Sequence, residues 1–157
     1  MIKTIGGIKI VKFEAWHLEW IDYTVMARSS IENYVPDREE HGKVLETLGT
    51  SYTGLRKGQV IACGGIIAGF KGVGDLWLYL GKETFAQKRV ALRVFKYFLE
   101  QIHSDYDLHR LQAVVKSDFV EGHRFAKFFG FESEGEMKQY SPDKENFYRY
   151  AKCWNGK

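Results

Sequence analysis

Three side chains in this sequence have types and settings suited to moving a proton: Tyr79, Glu83 and His123. Tyr79 stands near the end of an unbroken apolar run, Leu76-Trp77-Leu78-Tyr79-Leu80, which Gly81 closes. A phenol there could donate a proton, or it could be a core tyrosine with its hydroxyl bonded. Glu83 follows in the polar stretch behind the run. As a general base it could take a proton from an ammonium, directly or through water. It could equally balance the positive end of the helix that begins there. His123 lies in a later helical pattern, where a neutral imidazole could work near pH 7 or simply pack. A second kind of chemistry is suggested by Lys88, Arg89 and Arg93, cations at the start of a helix. Helix N-terminal amides favour anions, and a diphosphate is the natural ligand to expect. The plainer reading is a solvated helix face. No H-E-x-x-H or Cys/His spacing joins the five histidines, so no metal site is expected. No Gly-x-Ser-x-Gly elbow occurs, which disfavours a serine hydrolase.

The elements that must position these groups can be read from periodicity. The run 76–80 reads as a strand buried on both faces. Behind it Val90, Val94, Phe98 and Ile102 recur every four residues, with Ala91, Phe95 and Leu99 beside them. That is one wide apolar helical face. Residues 81–87 between them read as a polar loop. Upstream, Ile8–Phe13 is expected as a strand. A helix follows, with Trp16, Trp20 and Thr24, joined by Ile21 and Val25, as its stripe through about Ser30. A second helix opens at Asp37-Arg38-Glu39-Glu40, buries Val44, Leu45 and Leu48, and ends at Gly49. Tyr52–Leu55 and Gln59–Ile67 form a hairpin at Arg56-Lys57-Gly58. Gly64-Gly65 implies a bulge or a close backbone approach.

Downstream, Ser104–Asp107 is expected as a loop and Leu111–Val115 as a buried strand. Asp118 to Glu121 has capping-box spacing before a helix carrying Phe125, Phe128 and Phe129. Gly130 is a left-handed cap. Two strands, Phe131–Tyr140 and Phe147–Trp154, close the chain. The expected order, β-α-α-β-β-β-α-β-α-β-β, is an α+β arrangement on one mixed sheet.

The bulk numbers agree. A length of 157 residues implies one domain, 1–157, and 45% hydrophobic content supports a real core. The net charge of +3 comes from lysines and arginines interleaved with acids, which argues against a nucleic-acid partner. The longest uncharged run, Val60–Phe70, is too short to span a bilayer, and the start of the chain has no signal-peptide core. Cytoplasmic residence follows as the default. Cys63 and Cys153 are expected as free, buried thiols.

This order resembles the GNAT superfamily of acyl-CoA-dependent N-acyltransferases over essentially the whole chain. Leu76–Ile102 is similar to the family's central strand, pyrophosphate loop and following helix. Leu111–Phe131, ending Arg124-Phe125-Ala126-Lys127-Phe128-Phe129-Gly130-Phe131, is similar to the strand, helix and closing Gly-Phe of its second half. Asp75–Leu78 paired with Gly122–Phe125 is similar to short GNAT-like proteins of tailed phages. The family loop, Arg/Gln-x-x-Gly-x-Gly/Ala, falls on residues 86–91, where Ala91 alone keeps the pattern. The family's pantetheine-contacting Asn falls on Phe119, beside Asp118, and its general-acid Tyr falls on Ala126.

The resemblance implies transfer of an acyl group, acetyl first of all, from acetyl-CoA to an amine on a small molecule or a protein. It implies that Leu80, Gln87, Lys88, Arg89, Val90, Ala91, Asp118 and Phe119 meet the CoA. A backbone amide around Leu80 would polarise the carbonyl. Tyr79 and Glu83 are the candidate catalytic groups, with His123 in reserve. Asp22, Tyr23, Glu39 and Glu40 would face a cationic acceptor. The alternative is a GNAT-shaped binding or virion-associated protein without catalysis, located in a host cytoplasm or a virion if phage-encoded.

Overall fold

The computed structural model describes residues 3–22 and 37–155. Eight strands form one sheet: β1 (Lys3–Ile5), β2 (Ile8–Lys12), β3 (Ser51–Arg56), β4 (Gln59–Ala68), β5 (Val73–Leu80), β6 (Arg110–Lys116), β7 (Glu132–Met137) and β8 (Phe147–Cys153). Their spatial order is β1-β2-β3-β4-β5-β6-β8-β7. Five helices are present among the described residues: α1 (His17–Trp20), α2 (Arg38–Thr47), α3 (Lys82–Ala86), α4 (Lys88–Tyr106) and α5 (Val120–Phe128). Every neighbouring pair of strands is antiparallel except β5 and β6, which are parallel neighbours in the sheet, with α3 and α4 between them in the chain.

Local chemistry accounts for much of this. Lys57 and Gly58 both have positive φ, so the β3–β4 hairpin turns through two residues with the handedness that paired strands prefer. Gly6 and Gly7 do the same between β1 and β2. The sheet packs on both faces. Leu76 and Leu78 of β5 join a core with Phe95, Phe98, Leu99 and Ile102 of α4. Trp77 and Tyr79, pointing the other way, join a second core with Phe13, Leu18, Ile21 and Leu45. That alternation is the strand period acting on a run apolar at every position. At the end of α5, the Phe131 N–H bonds to the Ala126 carbonyl and the Gly130 N–H to that of Lys127, each at 3.0 Å. With Gly130 at φ +82°, this is a Schellman cap, and Phe131 folds back into the core.

Several expectations are corrected. Residues 82–86 form a one-turn helix, anchored where the buried Thr84 hydroxyl donates to the Ile61 carbonyl at 2.7 Å. Helix α4 runs on through Ser104 to Tyr106, and Asp107 caps it with φ +46°. The short strand β1 was not foreseen, although Gly6-Gly7 between apolar residues is a hairpin signal. The first helix ends at Trp20 in the described chain, and Thr24 lies outside it. Of the expected stripe Ile21 is buried, but Trp16 and Trp20 are exposed, and Leu18 is the residue buried alongside Ile21. In α2 only Leu45 of the three expected apolar residues is buried. Gly49 follows the cap residue Leu48, and a Cβ on it would come within 2.3 Å of the Ile66 carbonyl oxygen.

Close approach, not a bulge, explains Gly65, where a Cβ would meet Ser51 Cβ at 2.6 Å; the bulge in β4 lies earlier, at Ile61, which has no partner between Gly54 and Leu55 of β3. The N-cap of α5 is Phe119, with no side-chain cap, so the capping box does not form. Phe128 points to solvent while Phe129 is buried. Strand β7 stops at Met137. Both thiols are free, but Cys153 is exposed.

Candidate active site

Among the described residues, the sheet opens between the parallel strands β5 and β6. The strands are in register only over Val73–Asp75 against Arg110–Gln112. Beyond that they part, although β5 stays paired with β4 as far as Leu80 and β6 with β8 as far as Lys116. Backbone groups alternate sides along a strand. The Gly81 N–H bonds to the Ile61 carbonyl of β4 at 2.7 Å. The N–H and C=O of Leu80 and Leu78 therefore point the other way, into the gap, where β6 has no ladder partner for them. Such groups ask for an extended ligand with amides of its own.

A cavity of about 300 Å³ lies here, lined by Leu78 and Leu80 of β5, Val115 of β6, and Phe119, Phe125 and Ala126 around α5. Gly122 lets α5 sit tightly on β6, since a Cβ there would come within 2.8 Å of Val115 Cγ1. Among the described residues lining the cavity, Tyr79 carries the only hydroxyl. Burial pushes this phenol up to about 12, with the Cys63 thiol adding a smaller effect.

The Tyr79 hydroxyl lies 3.0 Å from His41 Nε2. His41 belongs to α2, whose first turn is held by the Asp37 carboxylate accepting the Glu40 N–H at 3.1 Å. Gly42 brings that helix close, because a Cβ would sit 2.6 Å from the Ala15 carbonyl oxygen. Burial lowers the His41 pKa below the ordinary imidazole value. Next to this pair, the Trp77 ring lies 5.6 Å from that of Tyr79, and its buried indole N–H finds no acceptor among the described residues.

The remaining expected residues are distributed as follows. Lys88 and Arg89 are exposed in the first turn of α4, whose leading N–H groups have no intrahelical acceptor. Gln87 joins α3 to α4. Val90 turns its methyls onto Gly6, where even a Cβ would be 2.6 Å from Val90 Cγ1. Ala91 borders a separate apolar void of about 70 Å³ beneath α4. Phe119 lines the cavity, and the exposed Asp118 is 3.9 Å from Lys116 Nζ. Glu83 is exposed in the first turn of α3. His123 Nε2 lies 3.0 Å from the carbonyls of both Lys116 and Ser117, and Nδ1 lies 2.7 Å from the Tyr150 hydroxyl. Carbonyls only accept, so Nε2 carries the hydrogen and the ring is clamped between α5, β6 and β8. Asp22 meets Lys82 at 3.4 Å and Glu39 meets Lys43 at 2.8 Å. Glu40 is exposed, and Tyr23 lies outside the described residues. His41 was not foreseen; no spacing rule links a residue in the acidic start of one helix to a tyrosine 38 positions on.

Among the described residues there is no group of three or more potential metal ligands, and no helix is long and apolar enough to cross a membrane. No protein-family model matches the chain, and no curated protein matches it in sequence. Solved structures match it closely in shape. The chain is similar to an acetyltransferase of the GNAT family from Bacillus anthracis, 17% identical, over 98% of both chains with a TM-score of 0.73. It is similar to the ribosomal-protein-S5-alanine acetyltransferase from Vibrio fischeri, 16% identical, over 98% of this chain and 96% of that one, with a TM-score of 0.75. An acetyltransferase of the GNAT family from Streptococcus pneumoniae, 16% identical, matches over 94% of this chain and 99% of its own, with a TM-score of 0.70. The chain therefore has the α+β fold of the GNAT acetyltransferases, a mixed, mostly antiparallel central sheet flanked by helices.

Proposed function

We propose that the protein is an N-acyltransferase that moves an acetyl group from acetyl-CoA to an amine. The observation that carries this reading is the parting of β5 and β6, with unpaired backbone groups of Leu78 and Leu80 facing a cavity of about 300 Å³. An extended arm with amides of its own would complete the ladder there. The Leu80 N–H would then polarise the acyl carbonyl. Lys88, Arg89 and the first N–H groups of α4, from Lys88 to Val90, would hold the phosphates. Gln87 and Ala91 flank that turn, and Val90 leaves the amides uncovered because its side chain lies on Gly6. Asp118 and Phe119 would border the arm on the α5 side.

The acceptor would enter from the α1–α2 face, on which Trp77 and Tyr79 lie. Glu39, Glu40 and Asp22 would draw a cationic amine toward it. An acceptor oxygen near the Trp77 indole would satisfy its open N–H. One solved neighbour is named for a ribosomal-protein alanine, so a protein N-terminus belongs among the acceptors to try beside small amines. Tyr79 would protonate the departing sulfur, and Glu83 would take the second proton of the attacking nitrogen and pass it to solvent. The rival reading, a binding module without catalysis, draws on Ala126 and Phe119, which line the cavity without a hydroxyl or an amide side chain.

Calorimetry and thermal melting with acetyl-CoA test the proposal. Acetyl-CoA should raise the melting temperature, since it binds the folded chain alone. Lys88→Glu with Arg89→Glu should weaken that rise without unfolding the protein. Absence of binding at millimolar acetyl-CoA would reject the transferase in favour of the binding module.

A further inference from the structure

We infer that His41 and Tyr79 form a proton relay for the acyl transfer, with Tyr79 facing the reacting atoms and His41 positioning it and exchanging its proton. The inference rests on the transferase reading and adds a residue to it. Its basis is geometric. His41 Nε2 and the Tyr79 hydroxyl are 3.0 Å apart, on two elements that meet only through tertiary packing. Both groups are part-buried, and β5 delivers the phenol to the edge of the gap into which its neighbour Leu80 turns an N–H.

A lone phenol in this setting is a poor proton carrier. Burial holds Tyr79 at about 12, so an isolated phenolate is disfavoured at neutral pH. A partner that takes or returns the proton as the phenol gives or receives one removes that difficulty. His41 suits the task because burial keeps its imidazole neutral and able to accept.

The proton count closes. Tyr79 accepts a proton from the acceptor's ammonium while its own proton passes to His41 Nε2, leaving a free amine and an imidazolium. The amine nitrogen forms the new C–N bond to the acyl carbon, and the C–S bond breaks with its electron pair on sulfur. The nitrogen sheds its second proton to solvent. The imidazolium proton returns through Tyr79 to the thiolate. The sum is one ammonium and one thioester converted into one amide, one thiol and one released proton. His41 and Tyr79 end as they began.

Two measurements test the relay. In the protein without acyl donor, the ¹⁵N resonances of the His41 ring should shift when Tyr79→Phe removes the hydroxyl. In turnover, CoA release is followed with a peptide bearing a free N-terminal alanine, with spermidine and with tryptamine as acceptors. His41→Gln can still donate a hydrogen bond to Tyr79 but cannot cycle a proton. It should lower kcat by about 10²–10⁴-fold, the usual range for a lost acid–base group. Its acetyl-CoA affinity by calorimetry should stay within about threefold, the mark of a role confined to the transition state. Added imidazole should restore part of the turnover of His41→Ala, which loss of packing alone would not permit. Wild-type kcat in His41→Gln, no rescue of His41→Ala, or unchanged His41 resonances in Tyr79→Phe would each overturn the relay alone. No binding of acetyl-CoA, or binding without turnover of any of the three amines, would overturn the transferase reading and the relay with it.

Discussion

Phe98 and Phe128 offer a direct test of the helix packing, because the same substitution at the two should have very unequal costs. Phe98 is 7% exposed, with its ring 5.9 Å from that of Tyr52 and 5.7 Å from that of Phe95. Phe128 is 67% exposed, with its ring 5.0 Å from that of Phe129. A phenylalanine side chain offers roughly 200 Å² of surface. Burying nearly all of it contributes about 4–5 kcal/mol at ~25 cal/mol/Å². The alanine that replaces it keeps a small part, and Phe98 already borders the 70 Å³ void, so it has fewer contacts to lose. Phe98→Ala should therefore cost about 3–4 kcal/mol, within the range for such core deletions. For Phe128 only about a third of the surface is covered, which bounds the loss near 1.5 kcal/mol. The better helix propensity of alanine offsets up to about 0.7 kcal/mol of that. Urea unfolding followed by circular dichroism measures the difference. With a slope of about 2 kcal/mol per molar, the two midpoints should differ by about 1 M or more. Equal midpoints, or a lower one for Phe128→Ala, would mean that α5 is rotated from the phase described.

Acid should destabilise the protein through two histidines. His17 Nδ1 accepts the Glu14 N–H and the Thr53 hydroxyl, each at 2.9 Å, and burial lowers the pKa of both His17 and His41. A lowered folded-state value means that the unfolded chain binds protons more readily. The stability is thus fully present above 6.5, the ordinary value, and is lost as pH falls through the folded values below it. Melting temperatures across that window should fall less steeply in the double variant His17→Gln, His41→Gln; an equal slope would refute the assignment. At the end of α5, Gly130→Ala should cost about 1–2 kcal/mol, because φ +82° is strained for any residue with a Cβ. An unchanged denaturant midpoint would count against the Schellman cap.

The sequence by itself determined the elements whose cause is local. The four-residue recurrence of Val90, Val94, Phe98 and Ile102 set the phase of α4, and its inner residues Phe95, Phe98, Leu99 and Ile102 are buried as that phase requires. Gly130 announced a left-handed cap, and Arg56-Lys57-Gly58 a hairpin, which the structure narrows to a two-residue turn at Lys57 and Gly58, because each conformation depends on a few adjacent residues. The unbroken apolar run of β5 implied packing on both faces, which the two cores supply.

Tertiary structure decided the rest. Periodicity cannot tell which of two adjacent phenylalanines at a helix end, Phe128 or Phe129, meets the core, since that depends on where β8 and α4 stand. It cannot tell that Val90 turns its side chain away onto Gly6. The site is the clearest case. The ladder between β5 and β6 stops after Asp75 and Gln112, and nothing in either strand's own composition says so. Pairing register is a property of two segments and of what packs against both. In the same way Tyr79 was visible as a candidate, but its partner His41 was not. Hydrogen bonds between side chains on separate elements are set by the docking of one element on another, here α2 brought close by Gly42, and no pattern along the chain records that distance.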